Sequence, residues 1–250
     1  MKPVPRISTR GYYNLLNGKT IKNNSYYLYP KQDFKKLIDS KELTIMIHGL
    51  RNDNAGAIAK VVLAKNKLKK LGYSYPVIGY SYDSNTTGAH LLKYAKRSLA
   101  AGQVIAKKNG RNLGTFIEDF KSDSPNTKIR LIGHSLGTQV ILSTLEYLAK
   151  KKNNFGIVEG VYFFGASITD DVPSSKKYGK TLQNIVKKKI VNHYAPSDEV
   201  LGWAEKEKFV KGPLGLNGAT GKPISKYTQI LLKPKNHRFA SYASVMKKFP

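Results

Sequence analysis

The sequence predicts an α/β protein with a three-layer, doubly wound and mostly parallel sheet. Short apolar runs alternate with helical segments from about residue 43 to the end of the chain, which is typical of parallel strands joined by crossover helices. Most of these runs lack alternating polar residues, as expected of strands buried on both faces. Polar or glycine-containing turns follow several runs, and right-handed crossovers place such turns along one edge of the sheet.

The first 42 residues are expected to add edge strands or an N-terminal extension to this sheet. The stretches "GYYNLLNG" and "NSYYLYP" have the composition of short strands, and Gly18, Asn23 and Asn24 are typical of turns. We therefore predict a hairpin at the sheet edge. The chain contains no internal repeat, low-complexity linker or change in composition, so residues 1–250 are expected to form a single domain.

Six apolar runs are predicted to be the core strands because they are rich in β-branched and aromatic residues. They are LTIMIHG (43–49), YPVIGYSY (75–82), KIRLIGHS (128–135), GIVEGVYFFGA (156–166), KKIVNHYAP (188–196) and YTQILLKP (227–234). Apolar residues at helical spacing occupy segments between and after these runs. These helical segments include residues 58–68, 141–148 and 239–246.

The charge of the chain is strongly positive, with 43 Lys+Arg against 16 Asp+Glu and a formal net charge of +27. Such a surface attracts anionic partners. Only seven of the basic residues are Arg, whereas specific phosphate or base recognition tends to use the bidentate Arg fork. The composition therefore favours a solvated lysine surface, does not favour nucleic acid as a specific partner, and leaves an anionic membrane surface as a candidate partner.

Several classes of protein are disfavoured by what the sequence lacks. No apolar run has the length needed to cross a bilayer, and "MKPVPRISTRGYY" lacks the apolar region of a signal peptide. The chain contains no cysteine, which excludes disulfides, thiolate catalysis and cysteine zinc sites. We expect a soluble, cytoplasmic protein.

The segment "RLIGHSLGTQV" joins an apolar run to a helical segment through Gly133, His134, Ser135, Leu136 and Gly137. Glycines on both sides remove the Cβ atoms that would clash when a strand turns abruptly into a helix. The central serine then projects its hydroxyl from the strand end, and the helix N-terminus favours a developing oxyanion. We predict that Ser135 is a nucleophile rather than an idle polar residue in a glycine turn.

A serine nucleophile needs a general base, and the chain offers five histidines. We favour His237, which lies in a loop between the last strand and the last helix. His90 and His193 are the alternatives, although the default interpretation of a histidine inside a strand, as with His193, is a core residue. His48 is expected to shape the loop after the first core strand. His134 is expected to point away from the serine and to pack against, or hydrogen-bond to, a neighbouring strand.

The base in turn needs a carboxylate that fixes its tautomer and stabilises the imidazolium. Asp198 follows the fifth core strand in a Pro-Ser-Asp turn at the correct edge of the sheet, and it is our first choice. Glu199 is adjacent, but consecutive side chains point in different directions. Asp170 and Asp171, after the fourth core strand, are the second choice. A surface or helix-capping role is the alternative for any of these acids.

Taken together, these stretches resemble the α/β-hydrolases, specifically their compact lipase- and esterase-like members. The resemblance is carried by "TIMIHGL", "RLIGHSLGTQV", "YFFGAS", "VNHYAPSDEVLGW" and "NHRFASY" and by the chain order Ser135, Asp198, His237. It covers about residues 43–250, which would form the catalytic core. Only a short helical segment separates "YFFGAS" from "KKIVNHYAP", so we expect a minimal cap domain or none.

The resemblance implies a catalytic mechanism and the hydrogen-bond donors that would stabilise its oxyanion. The N–H groups of Leu50, in the "HGL" turn, and of Leu136, after the nucleophile, would form the oxyanion hole. The expected activity is hydrolysis of a small-molecule or lipid carboxylic ester without a metal or organic cofactor; thioesters, amides or transfer to an alcohol would use the same groups. The competing hypothesis is a non-catalytic basic protein on the same scaffold that engages anionic membrane, nucleic acid or a protein partner.

Overall fold

A computed structural model describes residues 4–250 of the chain and shows one sheet of eight strands. All six predicted core strands are present, together with two short strands near the N-terminus. The strands are β1 (Arg6–Ser8), β2 (Tyr27–Tyr29), β3 (Glu42–Ile47), β4 (Val77–Ser81), β5 (Lys128–His134), β6 (Val158–Phe164), β7 (Val186–Tyr194) and β8 (Tyr227–Leu231).

The strand order across the sheet is β2-β1-β4-β3-β5-β6-β7-β8. Only the pairing of β1 with β2 is antiparallel, and every other neighbouring pair is parallel. The carboxyl ends of the parallel strands therefore meet at one edge of the sheet, where the turns of interest are expected to gather. This confirms the predicted mostly parallel α/β architecture.

Within residues 4–250, eight α-helices connect or follow the strands. They are α1 (Lys31–Lys35), α2 (Asn54–Lys70), α3 (Ala95–Asp123), α4 (Gly137–Leu148), α5 (Gly179–Ile185), α6 (Glu199–Lys206), α7 (Leu214–Asn217) and α8 (Phe239–Val245). Single turns of 3₁₀ helix occur at Leu92–Tyr94 and Lys152–Asn154. Apolar side chains of α3, α4 and α5 pack on one face of the sheet, and those of α2 and α8 pack on the other.

The central strand β3 shows why the sheet needs a helical layer on each face. Leu43, Ile45 and Ile47 belong to the core beneath α3 and α4, whereas Met46 belongs to the core beneath α2 and α8. Successive side chains of a strand point to opposite faces, and here both faces are buried. The resulting three layers confirm the prediction made from the absence of polar alternation.

The N-terminal strands lie at the predicted edge of the sheet, and "NSYYLYP" contains β2 as expected, but the predicted pairing of this stretch with "GYYNLLNG" is wrong. The stretch "GYYNLLNG" is not a strand; β1 comes earlier and pairs in parallel with β4. The physical reason is Asp83, whose carboxylate accepts the backbone N–H groups of Gly11, Tyr12 and Tyr13 at 3.0, 3.0 and 3.1 Å. Those donors are used by a side chain at the end of β4 and are not available to a strand partner.

The connections that follow β6 and β7 contain short helices only. Only α5 lies between β6 and β7, and only α6 and α7 lie between β7 and β8. In the part of the chain from residue 4 to 250 no separate cap domain is inserted. None of the helices in these residues combines the length and the apolar character that a membrane span requires.

Candidate active site

The serine turn has the strained geometry that the sequence predicts. Ser135 follows β5 directly and has a φ of +51°, in the left-handed region that a residue with a side chain seldom adopts. Its N–H donates to the carbonyl oxygen of Phe164 in β6 at 3.0 Å. A Cβ atom on Gly137 would lie 2.5 Å from the Ile47 carbonyl oxygen. Glycine therefore lets the start of α4 pack against the end of β3 and holds Ser135 at the sheet edge.

The three residues predicted as a triad lie in one hydrogen-bonded row. Oγ of Ser135 is 2.8 Å from Nε2 of His237, and Nδ1 of His237 is 2.7 Å from Oδ2 of Asp198. A carboxylate only accepts, so Nδ1–H donates to Asp198 and leaves Nε2 to accept from the serine hydroxyl. The structure thus brings together side chains from the turns after β5, β7 and β8.

The carboxylate of Asp198 is fully buried and fully hydrogen-bonded. Its Oδ2 also accepts the hydroxyl of Tyr242 at 2.6 Å, and its Oδ1 accepts the N–H of Leu201 at 3.2 Å, which caps α6. Burial alone raises the pKa of Asp198, but the hydrogen bonds from His237 and Tyr242 outweigh burial and hold that pKa below its usual value. The group is therefore ionised at neutral pH, as an orienting carboxylate must be.

Sequence reasoning missed Tyr242 as a partner of this site, because its spacing indicated only the buried face of a helix. The ring is fully buried in α8, and Asp198 is the acceptor for its hydroxyl. Burial, followed by the charge of Asp198, raises the pKa of Tyr242 well above its ordinary value. The tyrosine is therefore a permanent donor to the carboxylate.

His134 contacts the loop that carries His237. Of the two expectations for this ring, the hydrogen bond to a neighbouring strand is wrong for the described residues, and packing against a strand stays a prediction. Its Nε2 lies 2.7 Å from the backbone carbonyl oxygen of His237, and the two ring centroids are 5.0 Å apart. Burial, and then the neighbouring His237 ring, lower the pKa of His134 to about 3. The imidazole is therefore a neutral donor at physiological pH.

The alternative bases lie elsewhere. His90 is exposed, and its Nε2 is 3.0 Å from the side-chain oxygen of Asn85. His193 is buried in β7, where its ring stacks on Phe164 at 4.2 Å and its Nδ1 lies 3.1 Å from the carbonyl oxygen of Phe163. Neither ring hydrogen-bonds to the serine, so His193 is the core histidine that its place in a strand suggests.

The alternative acids take no part in the row of Ser135, His237 and Asp198. Asp171 accepts a hydrogen bond from Thr169 at 2.6 Å and pairs with Lys177 at 3.4 Å. Glu199 begins α6 and is exposed. Neither acid hydrogen-bonds to a histidine in residues 4–250. Within the same residues, no group of three His, Cys, Asp or Glu side chains is arranged to hold a metal ion.

The turns that contain the expected oxyanion donors pack together at the same sheet edge. A Cβ atom on Gly102 of α3 would lie 2.6 Å from Cδ1 of Leu50 and 3.1 Å from Cδ2 of Leu136, so the long helix packs closely on both turns. Across residues 4–250, neither the N–H of Leu50 nor that of Leu136 donates to a protein acceptor. Uncommitted N–H groups beside a serine are what an oxyanion requires.

Comparison with protein families gives one partial match. A family model described as "Protein of unknown function (DUF726)" matches residues 89–210, a range that includes Ser135 and Asp198 but neither Leu50 nor His237. An uncharacterized membrane protein of Schizosaccharomyces pombe is 37% identical over 75 residues, which are 30% of this chain and 9% of that protein. The match thus spans a small part of that protein's length.

Comparison with solved structures gives similarities at low sequence identity. A lipase-esterase related protein from Clostridium acetobutylicum is 12% identical, with 82% of this chain and 91% of that chain covered and a TM-score of 0.40. A cutinase-like protein from Cryptococcus sp. is 15% identical, with 76% of this chain and 75% of that chain covered and a TM-score of 0.38. A cutinase of Trichoderma reesei in complex with a phosphonate inhibitor is 17% identical, with 52% of this chain covered and a TM-score of 0.36. The match spans about half of the cutinase, 55% of its chain.

The order of the sheet, the helices on both of its faces and the strained strand-serine-helix turn identify the architecture. The fold is α/β-hydrolase-like. In this fold the side chains that line the carboxyl edge determine the chemistry, and the fold alone does not. The function therefore has to be argued from the row Ser135, His237 and Asp198.

Proposed function

We propose that the protein is a serine hydrolase that cleaves a carboxylic ester. The observation that supports this is the continuous row from Ser135 through His237 to Asp198, with hydrogen-bond distances of 2.8 and 2.7 Å. A nucleophile, a base and an orienting carboxylate in this arrangement are the parts that acyl transfer needs. The strained φ of the serine supports the same role, since strain of this kind tends to cluster at functional sites.

In the first half of the proposed reaction, Oγ of Ser135 attacks the carbonyl carbon of the ester while its proton passes to Nε2 of His237. Asp198 keeps the imidazole in the tautomer that accepts this proton and stabilises the imidazolium that forms. The carbonyl oxygen becomes an oxyanion, to which the N–H groups of Leu50 and Leu136 donate. The C–O bond to the alcohol then breaks, and the proton on His237 goes to the leaving oxygen.

In the second half, a water molecule takes the place of the alcohol. His237 accepts a proton from the water, whose oxygen attacks the carbonyl carbon of the acyl-Ser135. The C–Oγ bond breaks, the proton returns to Oγ, and the carboxylic acid is released. Every proton in this scheme moves through Nε2 of His237, and no step calls for a metal or an organic cofactor.

A fluorophosphonate probe tests this proposal because it forms a covalent bond only with an activated serine. We expect the wild-type protein to be labelled and Ser135→Ala to be unlabelled. Ser143→Ala is the matched control: this serine lies two turns along α4 and contacts Gln139, so labelling should be retained. A folded wild-type protein that resists labelling would refute the proposal. Hydrolysis of p-nitrophenyl esters from acetate to palmitate would then define the acyl chain that the site accepts.

A second candidate function is binding of an anionic partner, and one surface favours it. A cleft of about 1090 Å³ lies beside α3 and α4, and Ser135 is not among the residues that line it. A single acid, Glu146, lines the cleft with six basic side chains: Lys22, Lys107, Lys108, Arg111, Lys150 and Lys211. With a formal net charge of +27, such a surface would draw anionic lipid headgroups to this side of the molecule.

Vesicle binding at low and high salt tests this second function. We expect the protein to sediment with vesicles of phosphatidylcholine and phosphatidylglycerol, and to be released as salt screens the charges. The double variant Lys107→Glu and Arg111→Glu should weaken binding more than Lys31→Glu with Lys35→Glu, which reverses two charges on α1. Equal weakening by both pairs would assign the attraction to overall charge and would remove the cleft as a site.

A further inference from the structure

His134 connects the turn of the proposed nucleophile with the loop of the proposed base. It precedes Ser135 in the chain, and its Nε2 is 2.7 Å from the backbone carbonyl oxygen of His237. Because a carbonyl oxygen only accepts, the proton of the neutral imidazole is on Nε2. Within residues 4–250 its Nδ1 has no hydrogen-bond partner. The bond to His237 is therefore the ring's single hydrogen bond in the described chain.

We propose that His134 is a positioning residue: its hydrogen bond fixes the backbone of His237 so that the base stays within reach of Ser135. This inference rests on the proposed hydrolase function. His134 does not touch the reacting atoms and acts only through the carbonyl group of its partner. Because His134 and Ser135 are consecutive, a shift of the serine turn moves the donor as well, and the base is held relative to the nucleophile.

The loop that carries His237 has few other restraints, which is why one hydrogen bond matters. The loop follows β8, an outermost strand that pairs on one side only, with β7. Inside residues 233–238 the other backbone hydrogen bonds are local. The N–H of Asn236 donates to the Ser241 hydroxyl, that of Arg238 donates to the side chain of Asn236, and the Arg238 carbonyl accepts the N–H groups of Ser241 and Tyr242 at the start of α8. Of the described hydrogen bonds, the one from His134 is the only backbone link from this loop to the core of the sheet.

The surroundings of His134 also keep its imidazole neutral. The side chain of His134 is 6% exposed and packs against Phe239 and Tyr242, with ring centroids 5.7 and 6.2 Å away. The ionisable groups that face it are His237, Asp198 and Tyr242, and the positive charge of Lys60 also reaches it. A neutral donor does not repel the imidazolium that forms on His237 during the proposed reaction, whereas a protonated one would.

Two substitutions at one position test the proposal. His134→Gln places an amide N–H near the original Nε2, whereas His134→Leu has a similar volume and no donor. We expect His134→Leu to lower kcat for p-nitrophenyl acetate by about 10- to 100-fold with little change in KM, as for other residues that orient a reacting group. His134→Gln should recover most of the loss. His193→Leu is the control, because it removes another buried histidine that does not contact His237.

A measurement that does not depend on turnover completes the test. The Nδ1 proton of His237, which lies between that ring and Asp198, gives a downfield proton NMR signal when it is held in place. We expect this signal in the wild type and in His134→Gln, and broadening by exchange with solvent in His134→Leu. A signal that is unchanged in His134→Leu, or Gln and Leu variants that are equally impaired at equal thermal stability, would overturn the proposal.

The two proposals fail in different ways. If the wild-type protein is not labelled by a fluorophosphonate but the NMR signal disappears in His134→Leu, the hydrolase function is wrong and the positioning of His237 stands. If the wild type is labelled and the signal is insensitive to His134, the hydrolase function stands and the positioning role is wrong.

Discussion

Three buried histidines make the stability of this protein depend steeply on acid. His48, His134 and His193 are 1%, 6% and 3% exposed. Burial is the largest cause of the lowered pKa in each case, and the values fall to about 3, about 3 and about 4 from an ordinary 6.5. Between these values the unfolded chain binds protons that the folded chain cannot bind, so a fall in pH favours unfolding.

The size of the effect follows from these shifts. Going from neutral pH to pH 5, each histidine that stays neutral in the folded state and is protonated in the unfolded state costs about 2 kcal/mol of stability. The three together cost about 6 kcal/mol, a large part of the roughly 5–15 kcal/mol that stabilises a typical protein. The loss begins near pH 6.5 and continues until the folded-state pKa values are reached.

Urea unfolding followed by circular dichroism at pH 7, 6 and 5 measures this dependence. With a slope of about 3 kcal/mol per molar urea, the midpoint should fall by about 2 M between pH 7 and pH 5. His193→Leu should remove about a third of the pH dependence, whereas replacement of the exposed His90 should leave it unchanged. A free energy of unfolding that stays constant between pH 7 and pH 5 would refute the reasoning, because the buried imidazoles would then be titrating as they do in water.

Three further predictions concern the proposed site and the charge. Asp198→Asn should lower kcat for ester hydrolysis by about 10⁴-fold, because the tautomer of the base is no longer fixed, while Glu199→Gln should have little effect. If Glu199→Gln is the impaired variant and Asp198→Asn is active, the acid is assigned wrongly. Ser135→Gly should be about 1 kcal/mol more stable than Ser135→Ala, since glycine tolerates a φ of +51°; equal melting temperatures would argue against strain at this turn. Hydrolysis of an anionic ester should slow as salt rises while that of a neutral ester stays constant, and two flat responses would mean that the formal +27 charge has no part in substrate capture.

The sequence predicted the elements that depend on local patterns. The six core strands were predictable because apolar runs of five to nine residues recur between helices, and buried parallel strands need that composition. The positions of Ser135, Asp198 and His237 followed from the same argument, since parallel strands bring their carboxyl ends to one edge. Their hydrogen-bonded row is seen in the structure, and their chemical roles stay a prediction.

The sequence could not predict the contacts that depend on long-range packing. The carboxylate of Asp83 accepts hydrogen bonds from three backbone N–H groups about 70 residues earlier in the chain. No local pattern near either segment predicts this pairing. His134 was visible as the neighbour of the nucleophile, yet its partner lies 103 residues away. The helical spacing of Tyr242 predicts a buried ring, but it does not predict which group accepts a hydrogen bond from the tyrosine hydroxyl. In each case the partner comes from a distant part of the chain and is set by how the elements pack in three dimensions.

The arrangement around the proposed base implies that the site and the edge of the sheet depend on each other. His237 follows β8, which pairs with one neighbour only, so this end of the chain would be expected to open more readily than the centre. Two hydrogen bonds link this end of the chain to the core: His134 donates to the carbonyl of His237, and Tyr242 donates to Asp198. Separation of β8 together with the loop that follows it would break the bond from His134 and remove the proposed base from Ser135, so activity should be lost before the central strands unfold.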